Sequence, residues 1–172
     1  MPADGNDLRF AVNHMVAPRF AVAEFFRLAA SLAISDVETR NDLNGNAIID
    51  DTSPQLVHDI AAEAKVRIVS INALQRFNEW TSARTREAIE LADYAALCGA
   101  QALVLVPTND GSGRVDGERQ RRLRAALKNL KPILADRGIG GLVEPLGFES
   151  CSQRSKREAA EVIGEVDALK TF

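Results

Sequence analysis

Long apolar runs are missing from this chain. None approaches the ~20 residues that a membrane-spanning helix needs. The opening residues, Met1-Pro2-Ala3-Asp4-Gly5, lack the basic and apolar regions of a secretion signal. Cysteine is scarce: Cys98 and Cys151 are too few for a disulfide framework, and both are expected as reduced, packed thiols. Charge of one sign is not in excess, since 21 Lys and Arg stand against 24 Asp and Glu, for a formal net charge of -3. That balance excludes a global basic surface for nucleic acid and an acidic tail. The expectation is a cytoplasmic protein with neither membrane nor nucleic-acid partners.

What is present is a core. Of 172 residues, 46% are hydrophobic and 26% charged, the composition of a single well-packed domain spanning residues 1–172. Strand-like and helix-like segments alternate. Residues 9–13 read as a strand, and residues 21–32 as a helix carrying Phe25, Leu28, Ala29 and Leu32 at helical spacing. A second strand falls at residues 36–40. Ser53 and Pro54 supply an N-cap and a first-turn proline for a helix with Leu56, Val57, Ile60, Ala61 and Ala64 on one side. A β-branched run at residues 66–71 precedes a helix over 82–98, with Ala88, Ile89, Ala92, Ala95 and Ala96 on its face and Gly99 at its end. Residues 102–106 are continuously apolar. A helix from about 118 to 137 would bury Leu123, Leu127, Leu130 and Leu134, with Pro132 as a kink or early stop. Residues 141–144 form a fifth strand, Ser155 and Glu158 a capping box for a last helix, and residues 169–172 the start of a sixth strand.

Five βα units at this spacing mean a parallel sheet covered by helices. Two architectures use the pattern: an open doubly wound sheet, or part of a (β/α) barrel, of which this length is about two-thirds. No Gly-x-Gly-x-x-Gly follows the first strand, where Asn13-His14-Met15-Val16 stands instead. Polar residues follow every strand: Asn13 and His14, Glu38 and Arg40, Asn72, Asn109 and Asp110, and Glu144. Five strands contributing polar ends suit a barrel mouth better than a sheet that uses only its switch point. The α/β (TIM-type) incomplete barrel is therefore favoured over the open doubly wound sheet.

At residues 143–151, Val-Glu-Pro-Leu-Gly-Phe-Glu-Ser-Cys, the sequence resembles the xylose isomerase-like TIM barrel superfamily of sugar isomerases and epimerases, inosose dehydratases and endonuclease IV. Residues 10–15, 37–42 and 106–111 look most like its inositol and rhizopine branch. The resemblance runs from about Arg9 onward. It implies a divalent ion (Mn, Mg or Co) bound by a glutamate at the end of strand five and by three further ligands on strands six to eight. Glu144 is the position that corresponds, so the C-terminal third of such a barrel is expected to be lacking. The resemblance implies a metal-dependent isomerase, epimerase or dehydratase acting on a sugar or polyol, with Glu144 as metal ligand and as catalytic base. Endonuclease IV-like DNA repair fits poorly, because two histidines and a net charge of -3 supply neither a histidine-rich metal cluster nor a phosphate-binding surface.

Each candidate has a plainer alternative. Glu144, ending an apolar strand before a proline, suits a hard divalent ion or simply caps loop N–H groups. His14 can serve as a general acid, bind a substrate hydroxyl, or cap strand-end backbone groups. Glu38 and Arg40, two apart on a strand, face one side and either hold a polyol or pair with each other. Asn109 and Asp110 can reach substrate hydroxyls or make an ordinary turn. Trp80 and Phe77 wall a sugar pocket or pack a helix equally well. His58 and the basic cluster from Arg114 to Lys128 read as solvated surface. A fragment of a barrel, catalytically inactive, is the rival to the enzyme. Its open edges would drive association with itself or a partner, and a homo-oligomer is expected.

Overall fold

The computed structural model describes residues 9–43 and 51–166. Five parallel strands, β1 (Ala11–Asn13), β2 (Asp36–Arg40), β3 (Arg67–Gln75), β4 (Ala102–Val106) and β5 (Gly140–Val143), lie side by side in chain order. Helices α1 (Val22–Ser31), α2 (Pro54–Ala64), α3 (Ser82–Cys98), α4 (Glu118–Ala135) and α5 (Lys156–Val166) follow them in turn. A doubly wound sheet reverses its strand order at a switch point and carries helices on both faces. Here the order never reverses. The sheet is an arc of a (β/α) barrel.

Strand alternation separates its two faces. Val37, Ile68, Ile71, Leu74, Leu103 and Leu105 point outward into the main core, against Phe25, Phe26, Ala92, Leu127, Leu130 and Val162 of the helices. The inner face carries a small apolar cluster, Ala73, Val104 and Val106 with Leu142 and Leu146, together with the polar residues of β2 and β3. At its N-terminal end Asp36 is buried between two guanidiniums, accepting from Arg9 at 2.8 Å and from Arg67 at 2.5 Å.

The helix boundaries follow the capping chemistry. Ser53 Oγ accepts from the Leu56 N–H, and Thr81 Oγ1 from the Arg84 N–H. α3 ends at Gly99, whose φ of 78° is the left-handed conformation that a glycine adopts without cost.

Other details differ from the sequence reading. A turn of 3-10 helix, His14–Val16, follows β1, nucleated by Asn13 Oδ1 accepting from the Met15 N–H. β3 extends to Gln75, with a peptide bond in the cis form between Asn72 and Ala73. Leu56 and Ala96, expected in the core, are exposed, whereas Leu91 is buried; Cys98 and Cys151 are buried as expected. Pro132 lies inside α4, which ends within the next turn, at Ala135. Ser155 Oγ caps the Glu158 N–H, but the Glu158 carboxylate turns away to Arg119, Gln120 and Gln153, so the reciprocal half of the box is not made. The expected sixth strand lies outside the described residues. No described helix is long and apolar enough to cross a membrane.

Candidate functional site

The C-terminal ends of the strands build a polar constellation around Glu38. Because side chains alternate along β2 and β3, Glu38 faces the same side of the sheet as Ser70 and Asn72 on β3, and Asn13 at the end of β1 completes the set. The Glu38 carboxylate accepts from Asn13 Nδ2 and Ser70 Oγ, with Asn72 Nδ2 at a longer 3.5 Å. Three neutral donors thus orient one carboxylate without neutralising it.

Arg40 stands one pleat further along. Its guanidinium grips Asp42 with two bonds, Nε to Oδ1 at 2.8 Å and Nη2 to Oδ2 at 2.6 Å. That hydrogen-bonded pairing holds Asp42 below the usual carboxylate range and raises Arg40 above its ordinary value, with smaller contributions from the fields of Glu38 and Glu144. The expected alternative of a Glu38–Arg40 ion pair is not what forms. Arg40 takes Asp42, and Glu38 takes neutral amides and a hydroxyl.

Glu144 directly follows β5, and its N–H donates to Leu105 O at 3.1 Å, which anchors it to β4. Its side chain is exposed and shares a cavity of about 600 Å³ with Glu38, Asn72, Val104, Leu142 and Lys156. Two carboxylates from strands β2 and β5 therefore address one concave space.

His14 lies elsewhere. Its ring is fully buried and stacked on Phe25, with centroids 4.3 Å apart and planes 8° from parallel. Nε2 donates to Phe20 O at 3.0 Å, and the buried Nδ1 has no hydrogen-bond partner. Burial lowers its pKa, the Phe20 bond opposes that, and the Arg40 charge adds to the lowering. His14 does not line the Glu38–Glu144 cavity, and neither does Asn109, which is exposed in the loop after β4. Asp110 is engaged by Arg76 Nη1 at 2.5 Å and by Ser112, and these bonds pull its carboxyl well below the usual range. Phe77 is a core residue with Trp80 packed against the same cluster. His58 is exposed beside Asp59. Ser70 and Lys156 escaped the sequence reading. Ser70 was accessible in principle, since it stands two residues before Asn72 on a strand.

The divalent ion implied by the resemblance does not fit the described residues, among which no three His, Cys, Asp or Glu side chains converge to hold a metal. Glu144 is the one residue of the expected ligand set that they contain.

The chain matches the model of the xylose isomerase-like TIM barrel over residues 26–172. It belongs to that family. A solved relative, a xylose isomerase domain-containing protein of Salmonella typhimurium LT2, is 36% identical and superposes with a TM-score of 0.87, over 95% of this chain and 59% of that one. The IolI protein, solved with a bound zinc atom, is similar in fold at 17% identity and TM-score 0.83, over 93% of this chain and 59% of IolI. D-psicose 3-epimerase, solved in the presence of D-fructose, is similar in fold at 14% identity and TM-score 0.74, over 95% of this chain and 62% of the epimerase. The chain thus spans about three-fifths of the length of these solved proteins. No curated protein sequence matches it significantly.

Proposed function

We propose that the cavity between Glu38 and Glu144 binds a small polyhydroxylated carbonyl compound, a ketose or keto-inositol. The protein acts on it as an isomerase, epimerase or dehydratase by moving a proton at the carbon beside the carbonyl. The observation that carries this reading is the pair of carboxylates on one cavity, one of them fixed by three neutral donors. Glu38 with Asn13, Ser70 and Asn72 offers acceptors and donors of the kind that sugar hydroxyls satisfy. Glu144, projecting from a strand end, takes the proton from the α-carbon onto a carboxylate oxygen, leaving an enediolate. Protonating the former carbonyl carbon, while the hydroxyl proton passes between the two oxygens, gives isomerisation; protonating the α-carbon from the opposite face by a second acid gives epimerisation. Loss of a β-hydroxyl together with a proton, as water, gives dehydration. The field of Arg40 favours the developing negative charge. Family membership and the likeness in fold to an epimerase support the same class.

The test is solvent-deuterium incorporation at the carbon beside the carbonyl, followed by NMR with D-fructose, D-psicose and a keto-inositol, with and without added Mn2+. Glu144→Gln is expected to slow incorporation by a factor of about 100 or more. No incorporation into any of the three, or unchanged incorporation by the variant, would overturn the reading.

The sheet itself favours a second reading, an association module without catalysis. Among the described residues, β1 and β5 each have one strand neighbour.

A further inference from the structure

β3 does not pair evenly with β4. Asn72 is opposite Val104 and Leu74 opposite Leu105, so Ala73 is an extra residue with no partner position on β4. Two successive residues, Asn72 and Ala73, consequently face the inner side of the sheet. On the other side β2 ends at Arg40, which pairs with Asn72, so no β2 strand residue is left to pair with Ala73. Ala73 is 1% exposed, which shuts water out from its N–H and C=O.

Asn41 fills that gap. Its backbone N–H donates to Asn72 O at 2.9 Å, continuing the β2 ladder by one bond. Its carboxamide then replaces the missing strand residue: Oδ1 accepts from the Ala73 N–H at 2.7 Å, and Nδ2 donates to Ala73 O at 3.1 Å. Three bonds from one residue fix the backbone on both sides of the Ala73 α-carbon, including the whole peptide unit that follows the Asn72 α-carbon. The Asn72 side chain emerges there and reaches Glu38 at 3.5 Å, the outer limit of a hydrogen bond, where a shift of a few tenths of an ångström makes or abolishes the contact. Asn41 also stands between Arg40 and Asp42, the partners of the guanidinium clamp.

We propose that Asn41 is a positioning residue of the Glu38 site, its carboxamide holding the bulged end of β3 so that the Asn72 amide addresses the Glu38 carboxylate and the cavity. The catalytic part of this inference rests on the function proposed above; the positioning part rests on geometry alone and is tested separately.

The variants are Asn41→Ala, which removes both side-chain bonds, and Asn41→Asp, which has the same shape but keeps only the acceptor. On the isotopically labelled chain, Asn41→Ala is expected to speed hydrogen exchange of the Ala73 amide by about tenfold or more. It is also expected to move the Asn72 side-chain amide and Glu38 carboxyl resonances, while the amides of α3 stay in place. Asn41→Asp should leave Ala73 protected and still move Asn72, because the bond to Ala73 O is lost; it supplies the answer if Asn41→Ala fails to fold. With a substrate that shows deuterium incorporation, Asn41→Asp should lower kcat more than it raises KM. Unmoved Asn72 and Glu38 resonances in Asn41→Asp, with Ala73 exchange as in the wild type, would overturn the positioning role whether or not any substrate is turned over. Absence of turnover in the wild type counts against the proposed function and leaves the resonance test intact.

Discussion

His14 shows how a single side chain can look like chemistry in a sequence and serve packing in the fold. Its Nε2–H is committed to Phe20 O, and the ring lies flat on Phe25 with Nδ1 buried and unpartnered. A proton added at the buried Nδ1 would find no acceptor on the protein, and burial pushes the pKa below the ordinary imidazole value of 6.5. The folded state therefore binds that proton less readily than the unfolded one. Stability is complete above pH 6.5 and falls as the pH drops from there toward the folded pKa, at up to about 1.4 kcal/mol per pH unit. Thermal melts between pH 7.5 and 5.5 check this: the acid-side loss of Tm should be smaller in His14→Phe, which keeps a stacked ring without a titrating nitrogen. An equal loss in both proteins would place the acid sensitivity elsewhere. The same residue marks the boundary of what could be read from sequence at the site. Glu38 and Glu144 were recognisable from alternation and strand ends, because those follow from backbone geometry. That Arg40 would choose Asp42 over Glu38, and that His14 would turn toward Phe25, depended on turns and ring packing that no periodicity encodes.

At the scale of elements, two helices end in the same left-handed conformation with different residues. α3 closes on Gly99 at φ 78°, α2 on Lys65 at φ 55°. A side chain is strained in that region by roughly 1–2 kcal/mol. Gly99→Ala should therefore destabilise by about 1 kcal/mol or more, the new Cβ standing 3.2 Å from His58 Cδ2, on a side chain able to move. Lys65→Gly should do the reverse, raising stability by up to about 1 kcal/mol, and urea unfolding of the two variants measures both signs. Opposite outcomes would mean that the flanking bonds, not φ, govern these caps. The glycine was a legible stop and the lysine was not, since only the first advertises its conformation. The same contrast runs through the fold. α3, with Thr81 and Gly99 at its ends, matched the sequence reading to the residue, as did β4 with its unbroken apolar run. β3 ran longer than its β-branched core because pairing with β4, and Asn41 beside it, carry the strand past Ile71.

On the scale of the whole molecule, the sequential strand order decides what kind of surface the inner face is. In an arc whose helices lie on the outside, the concave face holds Val104, Val106, Ala73 and Leu142, an apolar strip beside the charged mouth. At its two borders, β1 and β5 present ladder groups that have one neighbouring strand among the described residues. Strand edges with a single neighbour are what favours pairing with another chain. The 172-residue chain should accordingly form dimers or larger species whose proportion rises with concentration in sedimentation velocity runs. Leu142→Lys places a charge on the inner face of β5, where it must be desolvated in any chain-to-chain contact, and should shift the distribution toward monomer without changing the helix content seen by circular dichroism. A wild-type chain that stays monomeric across a wide dilution series and melts in one cooperative transition would remove the association reading. The strand-end cavity would then be left as the functional feature of this arc.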